Sequence, residues 1–398
     1  MKSNEIKYYV SAPIHSCGIA LVGTGSIIQG FLLKSGVSEE NVTLFVSISL
    51  IVQMLVMTLA SKAVENMRNM IRVSALLPLL HIPLLASLIF FCRIPSDPSI
   101  VYGVVLGTGL VAAASYGLHG VLSYKLPYKI MDIKEYGRIL GVSGVFLGLA
   151  STLFSFIITY FTSEKYNYLG VMTVFFALGI VLFLLNLIVA GSYNEVEDLS
   201  KGNDSNEKIN IFKYKPFYIL LAPNLFRGFH TGVWAVILVI GSSSGIIGGE
   251  SGALLSGLLQ LALMIGCFIY SRIATKIDDG TLIFAASLAT AIGAPLMLAG
   301  KNPVVFFGVY LLVSLFKNFI DYGVPTAVTK IVDYRCIGQY SAWRMVLHTL
   351  GTALGGIAVP YLMSYFGAVG TLVFAGALQA MSGAVYFWYT NFYMKKAV

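Results

Sequence analysis

Charge is what this chain has least of. Only 11% of its 398 residues are Asp, Glu, Lys or Arg, while 57% are apolar and the mean hydropathy is +0.82. A water-soluble domain carries about 25% charged residues, so this chain cannot cover a water-facing surface of its size. Cysteine is also scarce. Cys17, Cys92, Cys267 and Cys336 stand apart with no CxxC pair, which excludes a disulfide framework and a zinc site of the usual spacing. There is no G-x-x-x-x-G-K-[ST] loop, so ATP is not the expected power source. Neither an H-E-x-x-H helix nor a G-x-S-x-G nucleophile setting occurs, and the polar joints are too short to fold a catalytic domain. An enzyme is not expected, nor a cofactor or a resident metal.

What remains is apolar length. A membrane-spanning helix needs about 20 mostly apolar residues, and the chain breaks into twelve such runs. They cover 10–33, 42–60, 73–94, 99–124, 137–161, 167–190, 216–240, 251–271, 280–299, 304–328, 340–366 and 369–390. Forty glycines suit helices that pack backbone to backbone in lipid. The start, MKSNEIKYY, leads into a segment too long for a signal h-region, so no cleaved leader is expected. The +8 net charge is spread over the ends of the apolar runs rather than gathered in one patch, which argues against nucleic acid as a partner. With the N-terminus inside, nineteen basic residues fall on inner segments and four (Lys34, Arg93, Lys165, Lys301) on outer joints. Basic residues stay on the cytoplasmic side, so both termini are expected there, in a plasma or inner membrane.

The longest joint, GSYNEVEDLSKGNDSNEKINIFKYK (191–215), is polar and mixed in charge and reads as a flexible linker. It separates residues 1–190 from 216–398, six runs each. The halves look like repeats. SISLIVQMLVMTLASKAVENM (47–67) and LSGLLQLALMIGCFIYSRIATKI (255–277) each carry a mid-span Gln and end in Ser followed by a base. KIMDIKEYGRILGVSGVFLG (129–148) and KIVDYRCIGQYSAWRMVLHTLG (330–351) both open Lys-Ile-x-Asp and run into a glycine-spaced helix. Parallel six-span repeats are the plan of one large class of secondary transporters.

On these features the chain resembles the major facilitator superfamily of carriers over its whole length. The resemblance implies an all-α polytopic membrane protein of twelve transmembrane helices, arranged as two six-helix pseudo-repeats. The family's loop after span two reads Gly-x-x-x-Asp-Arg-x-Gly-Arg-Arg. Here SKAVENMRNMIR (61–72) puts Ser61 at the glycine, Glu65 at the acid and Asn66 where the family has Arg. The counterpart after span eight, SRIATKIDDG (271–280), keeps Arg272 and Lys276. DYRCIG (333–338) is similar to the Asp-Tyr-x-x-x-x-Gly joint of the glycoside–pentoside–hexuronide cation symporters. Spans two and four contain no acid, however, so the sodium-site aspartates of that branch are missing. The resemblance implies a gating role for Lys62, Glu65, Arg138, Arg272, Lys276, Asp333 and Arg344 at the cytoplasmic joints.

The family resemblance also implies that spans one, four, seven and ten line a central cavity. The ionisable residues gather on those spans: His15, His119, Arg227, His230, Lys317 and Asp321. Charges in mid-membrane are costly and mark function by default. On span ten, Tyr310, Ser314, Lys317 and Asp321 share one helical stripe. On span seven, Asn224, Arg227, His230, Thr231 and Trp234 share a face, and on span one His15 and Gln29 fall on one side. Asp321 is expected to neutralise Lys317 or Arg227, with a solute or proton competing for the freed partner. Two bases against one acid favour an anionic or zwitterionic solute, with Arg227 as the anion fork. Trp234 and Tyr310 offer faces for a sugar or aromatic ring. The plainer reading is a structural ion pair joining spans seven and ten. His81 and His348 lie toward the cytoplasmic ends of other spans, where water and backbone carbonyls can satisfy them.

The expected function is secondary transport of a small polar solute, anionic or sugar-like, coupled to protons, by a monomer in a lipid bilayer. A drug or metabolite exporter of the same fold and a non-transporting membrane sensor are the alternatives.

Overall fold

The computed structural model describes residues 2–22, 26–65, 67, 69–130, 133–162, 167–194, 215–273, 276–331 and 337–393. Every regular element among them is helical. The expected spans reappear closely. Span two is the helix Glu39–Glu65, span four Pro98–Ile130, span five Ile133–Phe161, span six Tyr168–Gly191, span eight Gly252–Ile273, span nine Asp279–Leu296 and span ten Pro303–Ile331.

The remaining spans are broken, each for a local reason. Span one runs Lys2–Val22 and then Ser26–Lys34. Span three is Met70–Leu76, a 3-10 turn Leu77–His81, and Ile82–Arg93. Pro78 and Pro83 open the latter two pieces; a proline lacks the N–H that would continue the α-helical ladder. Span seven bends by 50° between Leu221–Ala235 and Ile237–Ser243. Spans eleven and twelve form one run, Ile337–Trp388, interrupted at Gly367 with φ 69° and ψ 176°. That conformation is closed to side chains with a Cβ, and it ends span eleven where the apolar pattern pauses. Asn167 and Asp278 cap spans six and nine by accepting from the backbone N–H of Gly170 and Thr281.

Large apolar side chains face outward along the helices, among them Val174, Ile188, Ile292 and Val304, each at least 65% exposed. In water such a belt would drive aggregation; against hydrocarbon it is the wetted surface. Among the described residues ten helices are long and apolar enough to cross a membrane, eleven with the bent span seven, and Gly367 divides one of them into spans eleven and twelve.

The chain divides into two compact units. The first holds residues 1–205 together with Gly249–Gln260, and the second holds 206–248 together with 261–398. This differs from a simple cut at the linker, because the start of span eight belongs with the first unit. The cause is close packing. A Cβ on Gly252 would run into the backbone oxygen of Ser26, and one on Gly30 into that of Gly249. Lys34 adds an ion pair to Glu250 at 2.8 Å.

Within the first unit, Met70, Ile71, Leu77, Leu122, Ile130 and Ile139 form a core toward one end. The chain's first turns are fastened there. The Asn4 amide, 1% exposed, donates to the carbonyls of Ile130 (2.6 Å) and Asn194 (2.7 Å) and accepts from the Asn194 N–H (3.0 Å). Lys7 donates to the Ser192 carbonyl, and Ser11 and Tyr193 share a hydrogen bond of 2.6 Å. Within the second unit, Leu282, Ile283, Phe319, Ile320, Val324 and Tyr386 form the corresponding core. Spans seven and eleven meet there through glycine. A Cβ on Gly228, Gly232, Gly351 or Gly355 would strike a backbone oxygen of the opposite helix. By contrast Gly144, in the glycine-spaced helix of span five, has nothing within 4 Å of the Cβ position.

Candidate functional site

The second unit buries a cation, an anion and a second cation on two neighbouring helices. Lys317 and Asp321 stand one turn apart on span ten, and the lysine Nζ donates to Asp321 Oδ2 at 3.0 Å. The other carboxylate oxygen faces Arg227 Nη2 of span seven at 3.9 Å. The first contact is a charge-assisted hydrogen bond; the second is attraction beyond hydrogen-bond reach. The Arg227 side chain is 8% exposed, Lys317 16% and Asp321 35%. The carboxylate is therefore the member of the trio that touches solvent most.

Next to the trio lies an aromatic stack. Trp234 and Tyr310 are parallel to within 4°, with ring centroids 5.0 Å apart, and His230 lies 6.1 Å from Trp234 at 17°. Trp234 and Tyr310 thus stack on each other, and both are buried. The ring faces offered above to a sugar are occupied by protein. His230 Nδ1 and Trp234 Nε1 are buried and have no hydrogen-bond partner among the described residues. Buried donors and acceptors left this way ask for a water or a ligand. Ser314 is fully buried between Tyr310 and Lys317 on the same stripe. Asn224 is committed elsewhere, its amide donating to the Tyr386 hydroxyl at 3.1 Å.

His348, set aside by its depth in span eleven, belongs to this neighbourhood. Its Nε2 lies 3.5 Å from Thr231 Oγ1, and it feels the charges of Arg227, Asp321 and Lys317. The Gly228 contact brings it in. Arg344, grouped above with the loops, sits inside the helix Ile337–Trp388 at 8% exposure, with its charge acting on His348.

The first unit holds the other histidines. His15 of span one, His119 of span four and His81 of the 3-10 turn line one small pocket with Tyr116. His81 joins them although span three is not among the four spans expected to line the cavity. The prolines at 78 and 83 were the available sign that the backbone leaves the α-helix there. Gln29 is fully buried in the second piece of span one and does not line that pocket.

Of the expected gating residues, Arg272 and Lys276 are exposed, Arg272 lying 5.3 Å over the Phe268 ring. Lys62, Glu65 and Arg138 lie on the described helical backbone, and Asp333 lies outside the described residues.

No protein-family model matches this sequence, and no curated protein does either. Solved structures do. A D-xylose–proton symporter superposes with a TM-score of 0.73 at 12% identity, covering 97% of each chain. A bacterial homologue of the human lysosomal transporter Spinster gives 0.69 at 13%, covering 99% of this chain and 96% of that one. The nucleoside transporter NupG gives 0.66 at 12%, covering 98% and 99%. The chain has the major facilitator fold. Nothing in these matches supports the narrower cation-symporter branch suggested by DYRCIG. Each of these three is a transporter or a homologue of one.

Proposed function

We propose that this protein is a secondary carrier for a small polar solute bearing an anionic group, coupled to protons and working by alternating access. The observation that carries it is the trio itself: Arg227 and Lys317, both largely buried, lean on the single carboxylate of Asp321. The Arg227 arm is the loose one at 3.9 Å. A carboxylate or phosphate arriving on a solute can meet that arginine as a bidentate fork while the Lys317–Asp321 hydrogen bond stays in place. Two orphaned ring nitrogens beside it, on His230 and Trp234, supply polar contacts for the rest of the molecule.

Two of the matched structures are named for polar cargo, D-xylose with a proton in one case and nucleosides in the other. That supports a polar solute and proton coupling here. The basic residues counted above support cytoplasmic termini, and the polar stretch 191–215 supports two six-helix halves, 1–190 and 216–398. The carrier works as a monomer in the plasma or inner membrane.

Counterflow in proteoliposomes tests the reading, with labelled organic acids, sugar phosphates, free sugars and amino acids as the panel. An anionic member is carried by the wild type, and Asp321→Asn and Lys317→Ala each cut the flux by at least about tenfold, about 1.4 kcal/mol of barrier. Wild-type flux in both variants reduces the trio to a scaffold. Saturable binding with no counterflow for any panel member makes the protein a sensor.

A further inference from the structure

Three of the five histidines in the chain converge in the first unit, on three different spans. The His15 and His119 rings have centroids 4.8 Å apart at 33°. Two imidazoles joined by one N–H···N bond of about 2.9 Å have centroids about 5 Å apart once the ring radii are added. His81 completes the group, stacked on Phe183 at 5.1 Å, and His15 lies 6.3 Å from the same ring. Phe183 is pinned in place by span one, where a Cβ on Gly18 would meet it at 2.7 Å. The 3-10 turn that presents His81 is held by the Ser115 hydroxyl, which donates to the Leu77 carbonyl at 2.7 Å.

Nδ1 of all three rings is buried with no hydrogen-bond partner among the described residues. Three polar atoms orphaned in one pocket are not explained by packing. The titratable groups facing the cluster are His15 from span one, His81 from span three, and Tyr116 and His119 from span four. Span six brings Phe183 against His15 and His81. Among the described residues no carboxylate and no Lys or Arg lines the pocket. Among the described residues no group of His, Cys, Asp or Glu is arranged to hold a metal ion.

We propose that this pocket binds one proton, shared between His15 and His119, and that it is the proton site of the carrier. A hydronium ion gives its proton to a ring nitrogen of one histidine and leaves as water. The new N–H then donates to the lone pair of the other ring. A second proton would set two like charges about 5 Å apart with no anion beside them, so the pair takes one and refuses the next. His81 gives the charged pair a polar neighbour on a third helix. The coupling role rests on the carrier reading above; the binding of the proton does not.

Nitrogen NMR of histidine-labelled protein in lipid nanodiscs, titrated between about pH 8 and pH 5, tests this without any solute. The expected result is one imidazolium per molecule from this pocket, with the His15 and His119 signals moving together in a single step. In His15→Gln the step at His119 is lost from that range. Two independent steps, no imidazolium across the range, or an unchanged His119 step in His15→Gln overturns the site. Should the variant fail to fold, the wild-type distinction between one shared step and two separate ones decides alone. Flux without the shared step overturns the site and leaves the carrier standing. The shared step without flux supports the site and overturns the carrier.

Discussion

Replacing Asp321 by Asn separates the energetic role of the trio from its role in transport. The side chain keeps its size and loses its charge, leaving Arg227 and Lys317 buried beside a neutral amide. Removing one partner of a fully buried ion pair costs about 3–5 kcal/mol. Asp321 is 35% exposed, so water offsets part of this, and about 2–3 kcal/mol is expected. The two arms should not share that cost equally. The Lys317 contact is a charged hydrogen bond at 3.0 Å, of a kind contributing about 1.5–3 kcal/mol. The Arg227 contact at 3.9 Å has attraction without a hydrogen bond, and the desolvation of the arginine offsets most of it, so below about 1 kcal/mol remains. Reversible unfolding in mixed micelles, with double-mutant cycles for 317–321 and 227–321, measures both couplings. In counterflow, Asp321→Asn should lower the apparent KM for an anionic solute and lower the maximal rate more, because Arg227 then holds the anion too well. A 227–321 coupling equal to or larger than the 317–321 coupling refutes the assignment of tight and loose arms. Unchanged flux per folded molecule refutes the functional reading while leaving the structural one.

The glycine contacts give a sharp contrast: Gly232→Ala drives a Cβ into the Thr352 backbone and should cost about 1–3 kcal/mol, whereas Gly144→Ala should be nearly silent in the same unfolding assay. Asn4→Ala strips a buried amide of three hydrogen bonds and should cost about 2 kcal/mol, with faster hydrogen exchange at residues 192–194 by mass spectrometry. Burial pushes the Tyr193 hydroxyl up to about 12 from its ordinary value of 10.0. The folded protein therefore holds that proton after the unfolded chain has lost it. Its contribution is intact below about pH 10 and disappears as pH rises toward about 12, a loss that Tyr193→Phe should remove from the stability–pH curve.

Span positions were legible in the sequence because hydrocarbon thickness is a one-dimensional constraint. The run 167–190 became Tyr168–Gly191, and the pause between 366 and 369 became the break at Gly367. The charged stripe on span ten was equally legible, since helical periodicity alone sets Lys317 and Asp321 one turn apart. What depends on lateral packing was not. The bend after Ala235 occurs at Val236, with neither proline nor glycine to mark it. The depth of His348 and His81 along their spans does not fix their neighbours, which are set by which face each helix turns inward. The start of span eight sits with the first unit because three short glycine approaches bring it there, a fact carried by contacts and not by hydropathy.

The same packing explains how an arginine can be buried in mid-span at all. Gly228 and Gly232, one turn apart, give one face of span seven to span eleven, backbone against backbone. Each step along a helix rotates the side chain by about 100°. Arg227 and Trp234 therefore leave that face and point to span ten, where Asp321 and Tyr310 receive them. The glycines act as a clamp that fixes the rotation of span seven, and the ion pair and the aromatic stack are its consequences. Filling the clamp should turn the helix before it unfolds it. In a Gly232→Ala background, the 227–321 coupling should vanish while the 317–321 coupling, internal to span ten, survives. Equal loss of both would mean that the glycine face holds the unit together without orienting Arg227.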